Sequence, residues 1–184
     1  ENRWVLGLER VRGALDLMGH PERSYTHVIV AGTNGKGSTC VYLEQILLES
    51  GRSVGTTLSP HLERFTERFR IDGREVGEAE LEATRRRLEP LVGGLGLTYF
   101  EWCVILAVEI FRSRRVDVGI FEAGLGGRYD ASNALDRPSA SSRTYPWTTR
   151  TSSGRRSPPS PPRRRASPGK AGRSSRPRQD RRAP

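Results

Sequence analysis

"VIVAGTNGKGST" (Val28–Thr39) passes from a β-branched segment through three glycines into a helix-forming stretch. A strand that empties into such a turn, with a helix starting behind it, collects backbone N–H groups at one spot. The helix N-terminus adds partial positive charge there. Glycine lets the main chain approach phosphate oxygens with no Cβ in the way. The N–H groups of Gly35, Lys36, Gly37 and Ser38 are thus the candidate anion cradle, and Gly32, Thr33, Asn34 and Thr39 complete the candidate ATP-binding turn. Lys36 suits the β- and γ-phosphates, and the Ser38 hydroxyl suits Mg²⁺. The spacing departs from the strict phosphate-loop pattern, because Gly32 stands only three before Gly35 and Gly37 separates Lys36 from Ser38.

Outward from this turn, the chain alternates strands and helices. Leu6, Leu8, Val11, Leu15, Leu17 and Met18 approximate helical spacing over Gly7–Gly19. "THVIVAG" reads as a strand, "TCVYLEQILLES" as a helix closed by Gly51, and "SVGTTLS" as a second strand. "PHLERFTERFR" reads as a structured loop, and the Asp-Gly pair in "FRIDGREV" is a hairpin signal. Helices over "GEAELEATRRRLEPLV" and "TYFEWCVILAVEIFRS" precede a third strand, "VDVGIFEAG". The second of these helices is apolar on most of its surface, so burial is expected. This order predicts an α/β fold, a doubly wound and mostly parallel sheet of the P-loop type.

The formal charge of +10 belongs to one end of the chain. Residues 137–184 hold 14 of the 31 basic residues and one of the 21 acidic ones, leaving 17 basic against 20 acidic in residues 1–136. The front part is therefore slightly acidic, and nucleic acid is not an expected partner for it. Cys40 and Cys103 both fall inside apolar helical patterns and are expected as buried free thiols in a reducing cytoplasm. No signal region or apolar run of membrane-spanning length is visible in the sequence. The expectation is a cytoplasmic monomer with no membrane association. Tyr25, Phe65, Phe69 and Trp102 are expected to pack rather than stack on bases, and Arg85–Arg87 to form a solvated helix face.

"GTNGKGS" in this setting resembles the ATP loop of the Mur ligase superfamily. "TLSPHLERFTERFRIDG" (Thr57–Gly73) and "FEAGLGGRYDASN" (Phe121–Asn133) narrow the resemblance to folylpolyglutamate synthase/dihydrofolate synthase. "GLERVRGALDLMGHPE" and "LTYFEWCVILAVEIF" fit it too, and the likeness runs from about Leu6 to Leu135. It implies a ligase that uses ATP and Mg²⁺ to join L-glutamate to a folate or to dihydropteroate through an acyl phosphate. It further implies that Lys36 and Glu122 are catalytic, that Ser38, Ser59 and Glu122 hold metal, and that Ser59, Pro60 and His61 open the folate site. Asn133 and Asp130 match a nucleotide-side turn, with Asn133 counted among the ATP-binding residues. Two other readings compete: a Mur-type ligase with a different acceptor, and a nucleotide-binding protein with a nucleic-acid-binding basic tail.

Residues 137–184 read at face value as a disordered basic tail, too poor in apolar residues to bury a core. The resemblance instead implies a further strand, a "T-N-x-x-L-D-H" segment whose histidine holds a second metal, and an "E-K-A-G-I" segment with a carbamylated lysine. Neither is visible in the chain. If the true codons begin at the third base of each visible codon, "SASSRTYPWTT" can conceal V-S-V-V-T-N-I-P-L-D-H. In the same frame, "SPPSPPRRRAS" can conceal V-A-A-I-A-A-E-K-A-G-I. The expectation is a one-base frameshift near Asp136–Arg137. Residues 1–136 would then be the N-terminal part of a Mur ligase central domain, and the chain an inactive truncated form.

Overall fold

The computed structural model describes residues 8–124 and 130–135. They all fall in the unit Glu1–Arg150; the second unit, Thr151–Pro184, contains none of them. The expectations for the 137–184 tail and its reading frame therefore lie outside the described residues.

After helix α1 (Glu9–Leu17) come strand β1 (Thr26–Val30), helix α2 (Lys36–Glu49) and strand β2 (Val54–Thr57). The hairpin β3 (Phe69–Ile71) and β4 (Arg74–Glu75) follows, then helices α3 (Glu78–Val92) and α4 (Tyr99–Arg114) and strand β5 (Val118–Glu122). The strand order is β1-β5-β2-β3-β4. β1, β5 and β2 run parallel, while the hairpin continues the sheet antiparallel. The sheet is thus mixed but parallel where the glycine turn leaves it. α1, α3 and α4 cover one face with the larger core, and α2 covers the other through Cys40, Val54 and Ile120.

Local chemistry accounts for the elements. The hairpin turns at Asp72 (φ 48°) and Gly73 (φ 78°), the two positive φ values that a type I′ turn demands. Asp72 is tied back to β2 by accepting the Val54 N–H at 2.7 Å. α4 begins with a capping box, in which the Thr98 N–H donates to Glu101 Oε2 at 2.7 Å and the Glu101 N–H to the Thr98 hydroxyl. Glu101 also receives Arg10 through two bonds, which ties α1 to the start of α4.

α4 lies close to the sheet because Gly55 and Gly119 are register partners on β2 and β5. A Cβ on Gly55 would fall 2.4 Å from the Phe111 ring, and one on Gly119 2.7 Å from Tyr25. Phe111 is fully buried in the hollow that the paired glycines leave. Tyr25 and Phe69 are likewise buried and Phe65 and Trp102 pack against the core, as expected of them. Arg85 and Arg86 pair with Glu82 on the exposed helix face, while Arg87 reaches across to Glu109 on α4. Cys40 and Cys103 are buried and free. No helix among the described residues is long and apolar enough to cross a membrane.

Candidate active site

α2 starts at Lys36, three residues before the helix expected at Thr39. Gly35, at φ 73°, turns the chain into it. The first helical bond runs from the Thr39 N–H to the Gly35 carbonyl at 2.9 Å. No side chain caps this helix, so the N–H groups of Lys36, Gly37 and Ser38 end at the helix mouth with no acceptor from the helix itself. Thr33, Asn34, Gly35, Ser38 and Thr39 are exposed, and Gly32, Lys36 and Gly37 are half-buried. The cradle read from the glycine pattern is thus a one-turn helix opening. The Thr39 hydroxyl is partly committed, donating to the Gly35 carbonyl at 2.8 Å.

Glu122 ends β5 in register with Val30, the residue from which the glycine turn departs. It is buried, and a Cβ added at Gly37 would sit 3.5 Å from its Oε2. The same oxygen accepts the Ser59 N–H at 2.7 Å. One carboxylate thereby joins the first turn of α2 to the start of the Ser59–Pro60–His61 loop, whose Ser59–Pro60 peptide is cis. Beneath the turn, burial pushes the Cys40 thiol up to about 12, with Glu122 and Glu44 adding to the effect. The thiol stays protonated.

The loop itself is organised by residues that the motif reading passed over. Glu67 collects the N–H groups of Leu62, Glu63 and Arg64. Those bonds, the one from Leu62 first, hold its carboxyl down at about 2. Arg68 Nε donates to His61 Nδ1 at 2.8 Å, and its guanidinium lies 5.3 Å from the centre of the Tyr99 ring. His61 also meets Phe65 edge-on. A carboxylate followed by an arginine inside "RFTER" was the available signal, but only the fold shows what they face.

Asp130 has a local task. It caps the turn Ala131–Ala134 by accepting the Ser132 N–H at 3.0 Å and the Ser132 hydroxyl at 2.6 Å. Asn133 lies in that turn, which packs on α1 and α4, the helices across the sheet from α2. Lys36, Ser38, Gly37, Glu122 and Ser59 are therefore gathered at one sheet end, and the turn that contains Asn133 lies against α1 and α4. Of "GGRYDASN", residues 126–129 lie outside the described residues.

No three His, Cys, Asp or Glu side chains cluster in a metal-holding arrangement among the described residues. A cation at this end must rely on one carboxylate, hydroxyls, phosphate and water. That all-oxygen set is the way Mg²⁺ commonly binds. Glu122 fits it, since its single described hydrogen bond engages Oε2 alone.

An uncapped helix opening behind a parallel strand, with an acidic strand end beside it, places the chain among α/β domains of the nucleotide-cradle class. No family model matches the sequence. The dihydrofolate synthase/folylpolyglutamate synthase of Escherichia coli strain K12 is 45% identical over 131 residues, covering 71% of this chain and 31% of that protein. A solved bifunctional folylpolyglutamate synthase/dihydrofolate synthase of Yersinia pestis, complexed with AMPPNP and Mn ion, superposes with a TM-score of 0.70 at 44% identity. That match covers 74% of this chain and 33% of the other. E. coli FolC in complex with DHPP and ADP gives the same TM-score at 42% identity, over 74% and 33% of the two chains. Over the share that it spans, the chain is similar in sequence and fold to dihydrofolate synthase/folylpolyglutamate synthases. It spans about a third of the length of these relatives.

Proposed function

We propose that this chain supplies the nucleotide and metal side of an ATP-dependent ligase that joins L-glutamate to a folate or to dihydropteroate. The observation that carries the reading is Glu122, which links the helix opening at Gly37 to the loop at Ser59. Phosphate held at the N–H groups of Lys36, Gly37 and Ser38 then lies beside the strand-end carboxylate that joins the two segments. A bound AMPPNP with Mn ion in one relative, and DHPP with ADP in another, support nucleotide, divalent cation and pterin-type acceptor as the ligands.

A carboxylate is a poor electrophile, so its oxygen first takes the γ-phosphoryl group, and the glutamate amine then attacks the acyl phosphate and expels phosphate. The first step is mainly positioning and charge neutralisation. In this chain the helix opening orients the phosphates, the Lys36 ammonium offsets their charge, and the Ser59 N–H fixes the Glu122 carboxylate. Ser38, Ser59 and Glu122 are the residues that would hold Mg²⁺, which supplies further neutralisation of phosphate charge when bound. Pro60 and His61 belong to the acceptor side. The two buried free thiols support a reducing compartment, the cytoplasm, and we take the working form to be a monomer.

The test is calorimetric titration of the 184-residue chain with ATP, with and without Mg²⁺. Affinity that rises with Mg²⁺ and is lost in Lys36→Ala supports the reading, and heat flow indifferent to both defeats it. With MgATP, glutamate and dihydropteroate together, the same chain is expected to release negligible ADP, because the second-metal and carbamylated-lysine segments implied by the resemblance are not visible in its sequence.

A further inference from the structure

Arg68 is the one buried arginine among the described residues, at 7% exposure. Several exposed arginines pair with carboxylates: Arg64 with Glu75, Arg85 and Arg86 with Glu82, Arg114 with Glu80. Arg68, although buried, makes no ion pair with a carboxylate among the described residues. Its neighbours are the His61 imidazole, the Tyr99 ring and the Cys103 thiol. Burial pushes that thiol up to about 11, against the pull of Arg68, so it carries no charge near neutrality. An interior guanidinium surrounded by neutral groups is costly, and a protein retains one where an anion completes it.

Its place in the fold says which anion. The Leu58 N–H donates to the Arg68 carbonyl at 3.0 Å. Thr57, the residue before Leu58, pairs with Phe121 on one side and Phe69 on the other. Leu58 is thus bracketed by Glu122 and Arg68, and the two flanking residues lie two strand spacings apart, about 10 Å. Both stand at the carboxyl end of the parallel strands, where α/β sheets receive ligands. Arg68 also fixes the loop. Because Nε–H donates to His61 Nδ1, a neutral His61 carries its proton on Nε2 and presents a second N–H donor. Tyr99, whose ring lies under the guanidinium, is 57% exposed.

We propose that Arg68 receives the carboxylate of an aromatic acid acceptor, in a site completed by His61 and Tyr99 beside the Ser59–Glu122 junction. This rests on the reading of the site as a ligase that activates a carboxylate, and it adds the residue that selects an ionised acceptor over a neutral one.

The experiment uses the full 184-residue chain and four probes: 4-aminobenzoate, 4-aminobenzamide, pteroate and the amide of pteroate. Each acid is expected to bind at least about tenfold more tightly than its amide, the scale of one charged hydrogen-bonded pair. Arg68→Gln should erase that preference and Arg68→Lys should keep part of it. Retained MgATP binding reports that the variants are folded. Equal binding of acid and amide by the wild-type chain overturns the proposal whether or not Arg68→Gln folds. Undetectable binding of both acids overturns it as well, as does an acid preference that survives in Arg68→Gln. Pteroate and its amide binding alike would leave the folate-type reading standing and remove Arg68 from it. An Arg68-dependent preference for 4-aminobenzoate, with pteroate bound no more tightly, would keep Arg68 and end the folate-type reading.

Discussion

The Glu122 carboxylate accepts the Ser59 N–H at 2.7 Å while it lies against Gly37 in the first turn of α2. Its charge and its shape can be separated. Glu122→Gln preserves the volume, and the amide oxygen can still accept from Ser59, so stability should change little. The negative charge facing a cation is lost. The gain in ATP affinity on adding Mg²⁺ should fall by about tenfold or more, roughly 1.4 kcal/mol, while metal-free binding stays level. Calorimetry with and without Mg²⁺ reads this directly, and an undiminished Mg²⁺ gain in the variant removes Glu122 from the metal site.

Much of this arrangement was legible in the sequence because its signals are local. Strand, glycine turn, lysine and helix occupy twelve consecutive residues, and the positive φ values of the hairpin follow from the Asp72–Gly73 pair. The start of α2 was placed late because glycines read as loop. A mid-helix glycine costs about 1 kcal/mol, yet Gly37 lets the first turn rest beside Glu122. What was not legible depends on distant partners. Nothing near Arg68 in sequence shows that Tyr99 and Cys103 will surround it, and nothing near Gly55 shows that Phe111 will fill its hollow. Asp130 sits in a recognisable motif, and only the fold shows that its carboxylate caps its own turn.

Gly55 offers a test of the packing beneath the site. A methyl there meets Phe111 Cδ1 at 2.4 Å, a clash with a buried ring that has no free direction. Gly55→Ala should cost about 1–3 kcal/mol, the usual range for overpacking. Gly94→Ala, where a Cβ meets nothing within 4 Å, should stay within about 0.5 kcal/mol. Urea unfolding compares them. Combining Gly55→Ala with Phe111→Leu should give less than the sum of the two losses, because the smaller side chain vacates the volume that the methyl needs. Strict additivity would show that the ring and the glycine do not share a constraint.

Glu67 makes the acceptor-side loop sensitive to acid. Its carboxyl ordinarily titrates at 4.5 and is held at about 2 by the N–H groups of Leu62, Arg64 and Glu63. A folded value below the unfolded one means that the ionised form favours the folded loop. The contribution is therefore complete above about pH 4.5 and disappears as pH falls toward 2. Amide exchange at Leu62, Glu63 and Arg64 should accelerate through that window. In Glu67→Gln, exchange at the three sites should be faster at pH 7 and lose this acid dependence. Unchanged protection at pH 7 would mean that the loop is held by Arg68 and its packing rather than by Glu67.

A salt bridge between α2 and β3 tests what sets the position of the helix and its phosphate cradle. Glu44 is 0% exposed and receives Arg70 of β3, with Nε and Nη2 both 3.1 Å from Oε2. Arg70 also donates to the Gly73 carbonyl at 2.7 Å, so one side chain fastens the helix to the hairpin turn. Removing the cation alone leaves a carboxylate without its partner in the interior. Arg70→Met should therefore destabilise by about 3–5 kcal/mol. Replacing both members, Glu44→Leu with Arg70→Met, takes away the stranded charge and should recover much of that loss. The double variant then separates stability from placement. If the pair also sets how α2 sits on the sheet, the recovered protein should still bind MgATP more weakly than wild type. If the apolar contacts of Cys40 with Val54 and Ile120 suffice to place the helix, nucleotide affinity should return together with stability.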